Sequence, residues 1–141
     1  MEKLRVEITS KITQEDQSET IKRHGQGQME QIEGGWRFQY DEENKTGNVP
    51  VKILLKNGEM VMQRGSVEAN DYTMMKFAVG EKKNCRIIAA SRIMDLTSLT
   101  KKLDFSDENN NILKLTVEYD LFSGLYLIGN YAIKINFYRE A

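Results

Sequence analysis

Few side chains in this sequence can do chemistry, and they are sparsely placed. The 141-residue chain has one histidine and one cysteine. The histidine, His24, lies in "KRHGQGQ", Lys22 to Gln28, among two basic residues and two glycines. Such a stretch invites reading as a phosphate cradle, a metal site or a nucleic-acid patch. A phosphate loop needs a glycine-rich turn between strand and helix, then Lys and Ser or Thr. Here "GQGQM" continues a strand pattern with no helix after it. A metal site needs several His, Cys or carboxylate ligands converging on the ion, and His24 has no such set nearby. No metal and no cofactor is therefore expected. Nucleic-acid binding draws most of its affinity from cations that neutralise phosphates. Lys+Arg and Asp+Glu balance at 20 and 21, with a net charge of −1, so no nucleic-acid partner is expected.

Catalytic constellations are equally thin. Ser10, Ser66, Ser91, Ser98 and Ser123 lack the strand–turn–helix setting of a nucleophile elbow. Cys85 follows "EKKN", and basic neighbours are the setting of reactive cysteines. A Cys–His pair would need the fold to bring it to His24. Glu42 and Glu43 sit in the polar stretch "DEENKTGN" and read as solvated. No catalytic residue is assigned. An enzymatic reading would be revived by His24 or Cys85 clustered with carboxylates in one cleft.

The arginines carry more promise. In "EMVMQRG" the phase of Met60 and Met62 carries Arg64 to the end of an apolar face. In the second segment Arg23 shares its side with Ile21, Gly25, Gly27 and Met29, while His24, Lys22, Gln26 and Gln28 face out. A guanidinium offers a planar fork of donors that matches carboxylate or phosphate. Two readings stay open. Arg64 is a rim arginine paired with a carboxylate such as Glu118, Asp120 or Glu68, or Arg64 and Arg23 converge on an anionic ligand. Trp36, Phe38 and Tyr40 form an aromatic stripe that is either core wall or a stacking surface for a planar ligand. Met60, Met62, Met74 and Met75 fill irregular core space or line an adaptable pocket. Gly25 and Gly27 mark a bend or close backbone approach, or leave room inside.

Strands must position these residues, because apolar residues recur with period two almost throughout. The phases run Leu4, Val6, Ile8; Trp36, Phe38, Tyr40; Val51, Ile53, Leu55; Leu113, Leu115, Val117, Tyr119, Leu121; and Tyr131, Ile133, Ile135, Phe137. Each strand has one apolar and one wet face, the habit of antiparallel sheets. Lys56-Asn57-Gly58 is a tight hairpin signal. Phe122-Ser123-Gly124 joins two strands, and Ser106–Asn111 and Asp41–Asn48 read as polar loops. Connections this short make successive strands neighbours. The expected fold is all-β: a single antiparallel up-and-down barrel of roughly eight to ten strands filling residues 1–141, closed so that no edge is left. A two-layer sandwich is the alternative. One segment is ambiguous. Leu96, Leu99 and Leu103 have helical spacing, so 95–104 is either a short helix at one barrel end or a poor strand. No apolar run approaches the ~20 residues of a bilayer span, and the N-terminus has no uninterrupted apolar stretch. No membrane association and a cytoplasmic location are expected.

Several stretches together resemble a known family. "WRFQYDEE" is followed by "VPVKILLKNGEMVMQRG", then "MMKFAVG" and "LTVEYDL", with Gly27, the Arg64-Gly65 doublet and Tyr119 among the motif residues. In this order, and over nearly the whole chain, they resemble the DUF1934 family of small bacterial proteins of unknown function. The resemblance implies a calycin-like, lipocalin-like β-barrel and no established activity. The sequence departs from the family pattern after Gly80, where "EKKNCRIIAAS" replaces a Tyr/Thr-containing stretch. Gly34-Gly35-Trp36 spells the Gly-x-Trp of secreted lipocalins; there it opens the first strand, whereas here two expected strands precede it.

Two functions follow from a barrel of this kind. The first is binding of a small, partly apolar or anionic ligand, with Arg64, Arg23, Trp36, Tyr40 and Tyr119 lining the cavity or its mouth. It calls for an interior cavity at ligand scale, ~300 Å³ or more. The second is a packed barrel that works as a protein-interaction or homodimeric module without a ligand.

Overall fold

The computed structural model describes residues 1–109 and 111–140. Among these residues ten strands follow one another: β1 (Glu2–Gln14), β2 (Gln17–Ile32), β3 (Gly35–Glu42), β4 (Val49–Lys56), β5 (Glu59–Ser66), β6 (Asp71–Ala78), β7 (Lys82–Ala89), β8 (Arg92–Asn109), β9 (Ile112–Ser123) and β10 (Tyr126–Arg139). Each pairs with the next, and β10 returns to β1, Val6 opposite Phe137, to close a barrel. The up-and-down barrel expected from the period-two pattern is the one formed, and the sandwich is not. The described residues contain no helix.

Segment 95–104 is strand, not helix. β8 carries a bulge between Thr100 and Lys102. Leu96, Ser98 and Thr100 point inward before it, and Leu103 and Phe105 pack on the core after it. One extra residue in a strand shifts the phase of everything beyond it. The shift puts Leu96 and Leu103 seven residues apart on one face, and Leu99, on the other face before the bulge, completes a spacing that imitates a helix. The expected loop at Ser106–Asn111 is also shorter, since β8 continues to Asn109 and β9 starts at Ile112; residue 110 lies outside the described residues. The Asn57-Gly58 hairpin holds, with both residues at positive φ (53° and 79°), as the twist of a two-residue hairpin requires.

The glycines of β2 serve backbone approach. A Cβ on Gly25 would run into the carbonyl oxygen of Asp41, and one on Gly27 into that of Gln39. β2 therefore folds tightly onto β3, with Gly27 opposite Tyr40.

The connections β2–β3, β4–β5, β6–β7 and β8–β9 lie at one end of the barrel, and the other five hairpins at the opposite end. The interior of the first end is filled by aromatic rings, with a shallow concavity beside Trp36, Leu55 and Phe105. Phe38 and Phe137 stack with ring centroids 4.0 Å apart, and Trp36 and Phe105 complete the cluster at 6.0–6.3 Å. Each such side chain contributes about 1.5–3 kcal/mol by leaving water. The wall there has one seam. β7 pairs with β6 only over Asp71–Met74, so the end of β6 meets β8 instead. Ser98 Oγ donates to the Lys76 carbonyl at 3.0 Å, and the Ala78 N–H donates to Thr100 Oγ1 at 3.2 Å. Two buried hydroxyls thus replace the missing ladder bonds, as buried backbone groups require.

Candidate functional site

At the opposite end the barrel is not filled. A cavity of about 220 Å³ opens beneath the hairpins, its floor and walls made by Val51, Met62, Met75, Ile87 and Leu121. Alternation places its charged and polar groups. On β3 the inward phase of Trp36, Phe38 and Tyr40 continues to Glu42, which is only 3% exposed. On β5 the phase of Met60 and Met62 delivers Arg64, opposite Val51 and Thr73. On β2 it delivers Arg23, opposite Ile8. Gly65 follows Arg64 with φ +85°, where a side chain would also meet the Asp71 carbonyl. Glycine there lets β5 turn while Arg64 stays on the inner face.

Glu42 is shared by both arginines. Arg64 grips it in a fork, Nη2 to Oε1 at 3.0 Å and Nε to Oε2 at 3.3 Å. Arg23 Nε reaches Oε1 at 3.2 Å. Burial pulls the Arg64 guanidinium down, but the hydrogen bond and charge of Glu42, aided by Asp71 and Tyr40, outweigh it and hold it above its ordinary value. Two cations against one carboxylate leave a local excess of positive charge. Arg23 Nη1 and Nη2 and Arg64 Nη1 have no acceptor among the described residues.

Three tyrosines face this space. Burial pushes the Tyr40 phenol far above its ordinary value; Glu42 adds to the rise, and Arg64 and Arg23 oppose it. Tyr119 is raised likewise by burial, then by Tyr131 and Cys85. Tyr131 stacks on Tyr119 at 5.1 Å; burial raises it and a hydrogen bond with Gln14 opposes the rise. Tyr40 and Tyr119 are 5% and 6% exposed. Their hydroxyls have no hydrogen-bond partner among the described residues and open onto the cavity. The rings are buried, but the hydroxyl oxygens reach the water of the cavity, so a ligand entering there can bond them in place of water.

Of the residues singled out from sequence, Arg64, Arg23, Tyr40 and Tyr119 come together at this cavity. Trp36 does not. It lies at the other end against Phe38 and Phe105, under the guanidinium of Arg139, where it borders a separate concavity with Leu55, Leu103 and Phe105 and not the cavity of Arg23 and Arg64. The carboxylates expected to pair with Arg64 are also elsewhere. Asp120 holds Asn130 and Lys101, and Glu118 holds Lys102. The partner is Glu42, misread as solvated because its stretch looks like a loop; the β3 alternation two residues beyond Tyr40 was the signal for it. His24 faces out, with Nε2 2.8 Å from Glu43, while Cys85 is buried in the wall, so they form no pair. Among the described residues no group of His, Cys, Asp and Glu is placed to hold a metal.

Comparison with known proteins agrees with this geometry at the level of fold. The crystal structure of the YwiB protein from Bacillus subtilis is similar over 99% of this chain and 93% of its own, with a TM-score of 0.82 and 16% identity. At that identity the likeness is one of fold. No curated protein matches the chain. The family model for DUF1934, a domain of unknown function, matches residues 6–135, from β1 through β10. The chain belongs to the DUF1934 family.

Proposed function

We propose that the protein binds a small, partly apolar ligand in the cavity at the barrel mouth, the role a calycin-like barrel would have. The observation that carries this reading is a partly apolar cavity into which two tyrosine hydroxyls without protein partners open beside the Arg23–Glu42–Arg64 cluster. Small barrels are commonly filled by side chains or hold one small ligand; this one is filled at one end only. At about 220 Å³ the cavity does not reach the ~300 Å³ that the sequence reading called for, which restricts the proposal to an occupant smaller than a lipid chain or a large cofactor. An engineered apolar cavity of about 150 Å³ takes benzene, which sets the scale of the occupant. The test is thermal unfolding of protein from the cells that make it, before and after denaturation, dialysis and refolding. A ligand at a hundredfold excess over its Kd stabilises by about 2.7 kcal/mol, so the stripped protein melts several degrees lower. Identical melting curves count against the reading.

A second reading, an interaction module, has one observation in its favour. Leu125, Tyr126 and Leu127 at the β9–β10 hairpin are 101%, 70% and 44% exposed, and contiguous exposed apolar groups often mark contacts between proteins. Sedimentation over a range of concentrations tests it for a second copy of this chain: self-association abolished by Leu125→Asp supports it, and a monomer throughout removes it.

A further inference from the structure

Resting on the binding reading, we propose that the ligand is a small organic acid. Its anionic head lies beside Arg23, Arg64 and Tyr40, and its ring-sized apolar body lies against Met62, Met75 and Ile87. The charge of the lining is the first argument. Arg23 and Arg64 both face one buried carboxylate, Glu42, with Asp71 the other acid acting on Arg64. Glu42 occupies Nε of Arg23 and Nε and Nη2 of Arg64. The outer guanidinium donors remain open at the mouth, which is where an anion would meet them. Arginine presents such donors in a plane suited to a carboxylate.

The second argument is the Tyr40 hydroxyl. Tyr40 is two residues from Glu42 on the same inward face and feels Glu42, Arg64 and Arg23 together. Its unpartnered hydroxyl is a further donor at the cluster, and an anion accepts from both phenol and guanidinium. A neutral ligand would satisfy the tyrosine and leave the excess cations as they are. An acid answers both needs. The third argument is the wall below, which is sulfur and aliphatic carbon, and methionine adapts to a flat body. Glu42 then has a role beyond pairing. It holds the two guanidiniums in place and neutralises one of them, so the empty site carries a charge that a single acid head offsets.

The test is a probe series read by ligand-observed NMR and titration on the intact chain: benzoate, benzamide and acetate. Benzoate has head and body, benzamide a neutral head of the same shape, and acetate a head without the body. Benzoate is expected to bind at least about tenfold more tightly than either, the gain of one charge-assisted contact. Arg64→Met should erase its advantage over benzamide. Arg23→Gln, at the more exposed of the two arginines, serves the same purpose should Arg64→Met fold poorly. Benzamide binding as tightly as benzoate would overturn the acid proposal and leave the cavity reading standing. Failure of every probe, together with unchanged melting after stripping, would overturn both.

Discussion

Strand β3 carries two environments within eight residues. At its start Trp36 and Phe38 enter the aromatic cluster with Phe105 and Phe137. At its end Tyr40 and Glu42 face the cavity with Arg23 and Arg64. The same alternation aims all four inward, so backbone geometry does not separate the ends; side-chain chemistry does. The closed end is satisfied by itself: flat rings fill the space, and Ser98 and Thr100 seal the seam. The mouth is left with open hydroxyls, open guanidinium donors and room. A packed end can hold the fold while the other end is left free to bind, because stability concentrated in one region supports looser function in another.

Four substitutions or conditions sharpen or break that contrast. The largest effect belongs to the closed end. Phe38 is fully buried and stacked on Phe137, so Phe38→Ala should cost about 3–5 kcal/mol in urea unfolding. A cost below that of any mouth variant would mean the rings do not anchor the barrel. Next comes Glu42→Gln, which leaves Arg23 and Arg64 facing one another. The loss should be about 1.5–3 kcal/mol, smaller than for a fully enclosed pair because both arginines reach solvent, and it should shrink in the Glu42→Gln, Arg64→Met double variant. Additive losses would show that the two side chains do not act together.

Thr100→Val removes the acceptor of the buried Ala78 N–H and keeps the shape. A loss of about 1–2 kcal/mol is expected; no loss would mean that the seam is sealed by other means. The smallest effect is a slope. Tyr40 and Tyr119 have folded pKa values raised above their ordinary 10.0. Above pH 10 the unfolded chain loses these protons first, so the folded state holds more protons and stability falls as pH rises. Below pH 10 this contribution is fully present. Each tyrosine adds up to about 1.4 kcal/mol per pH unit. The inward aromatics of the closed end are Phe and Trp, which do not titrate there. Tyr40→Phe and Tyr119→Phe should each flatten the alkaline slope, and an unchanged slope would place the hydroxyls in water.

The architecture was legible because period two survives along most strands and the hairpins are short. The inward phase of Met60, Met62 and Arg64 could be counted, and so could that of Ile21, Arg23 and Gly25. Three things were hidden, each for a physical reason. The bulge at Thr100–Lys102 broke the count in β8 and made a strand look helical. Glu42 sits where a strand runs into a polar stretch, and composition cannot mark the last buried residue. Trp36 shares a phase with Tyr40, but phase tells which face a residue takes and not which end of the barrel. Four residue steps apart at about 3.4 Å each, the two aromatics belong to different ends.

The central claim, that the mouth and not the closed end holds a ligand, is tested most directly by native mass spectrometry of the protein purified from the cells that make it. Wild type should carry a small-molecule adduct that Trp36→Phe retains and Arg64→Met loses. A wild type that is bare, or an Arg64→Met variant that keeps its adduct in full, would contradict the account.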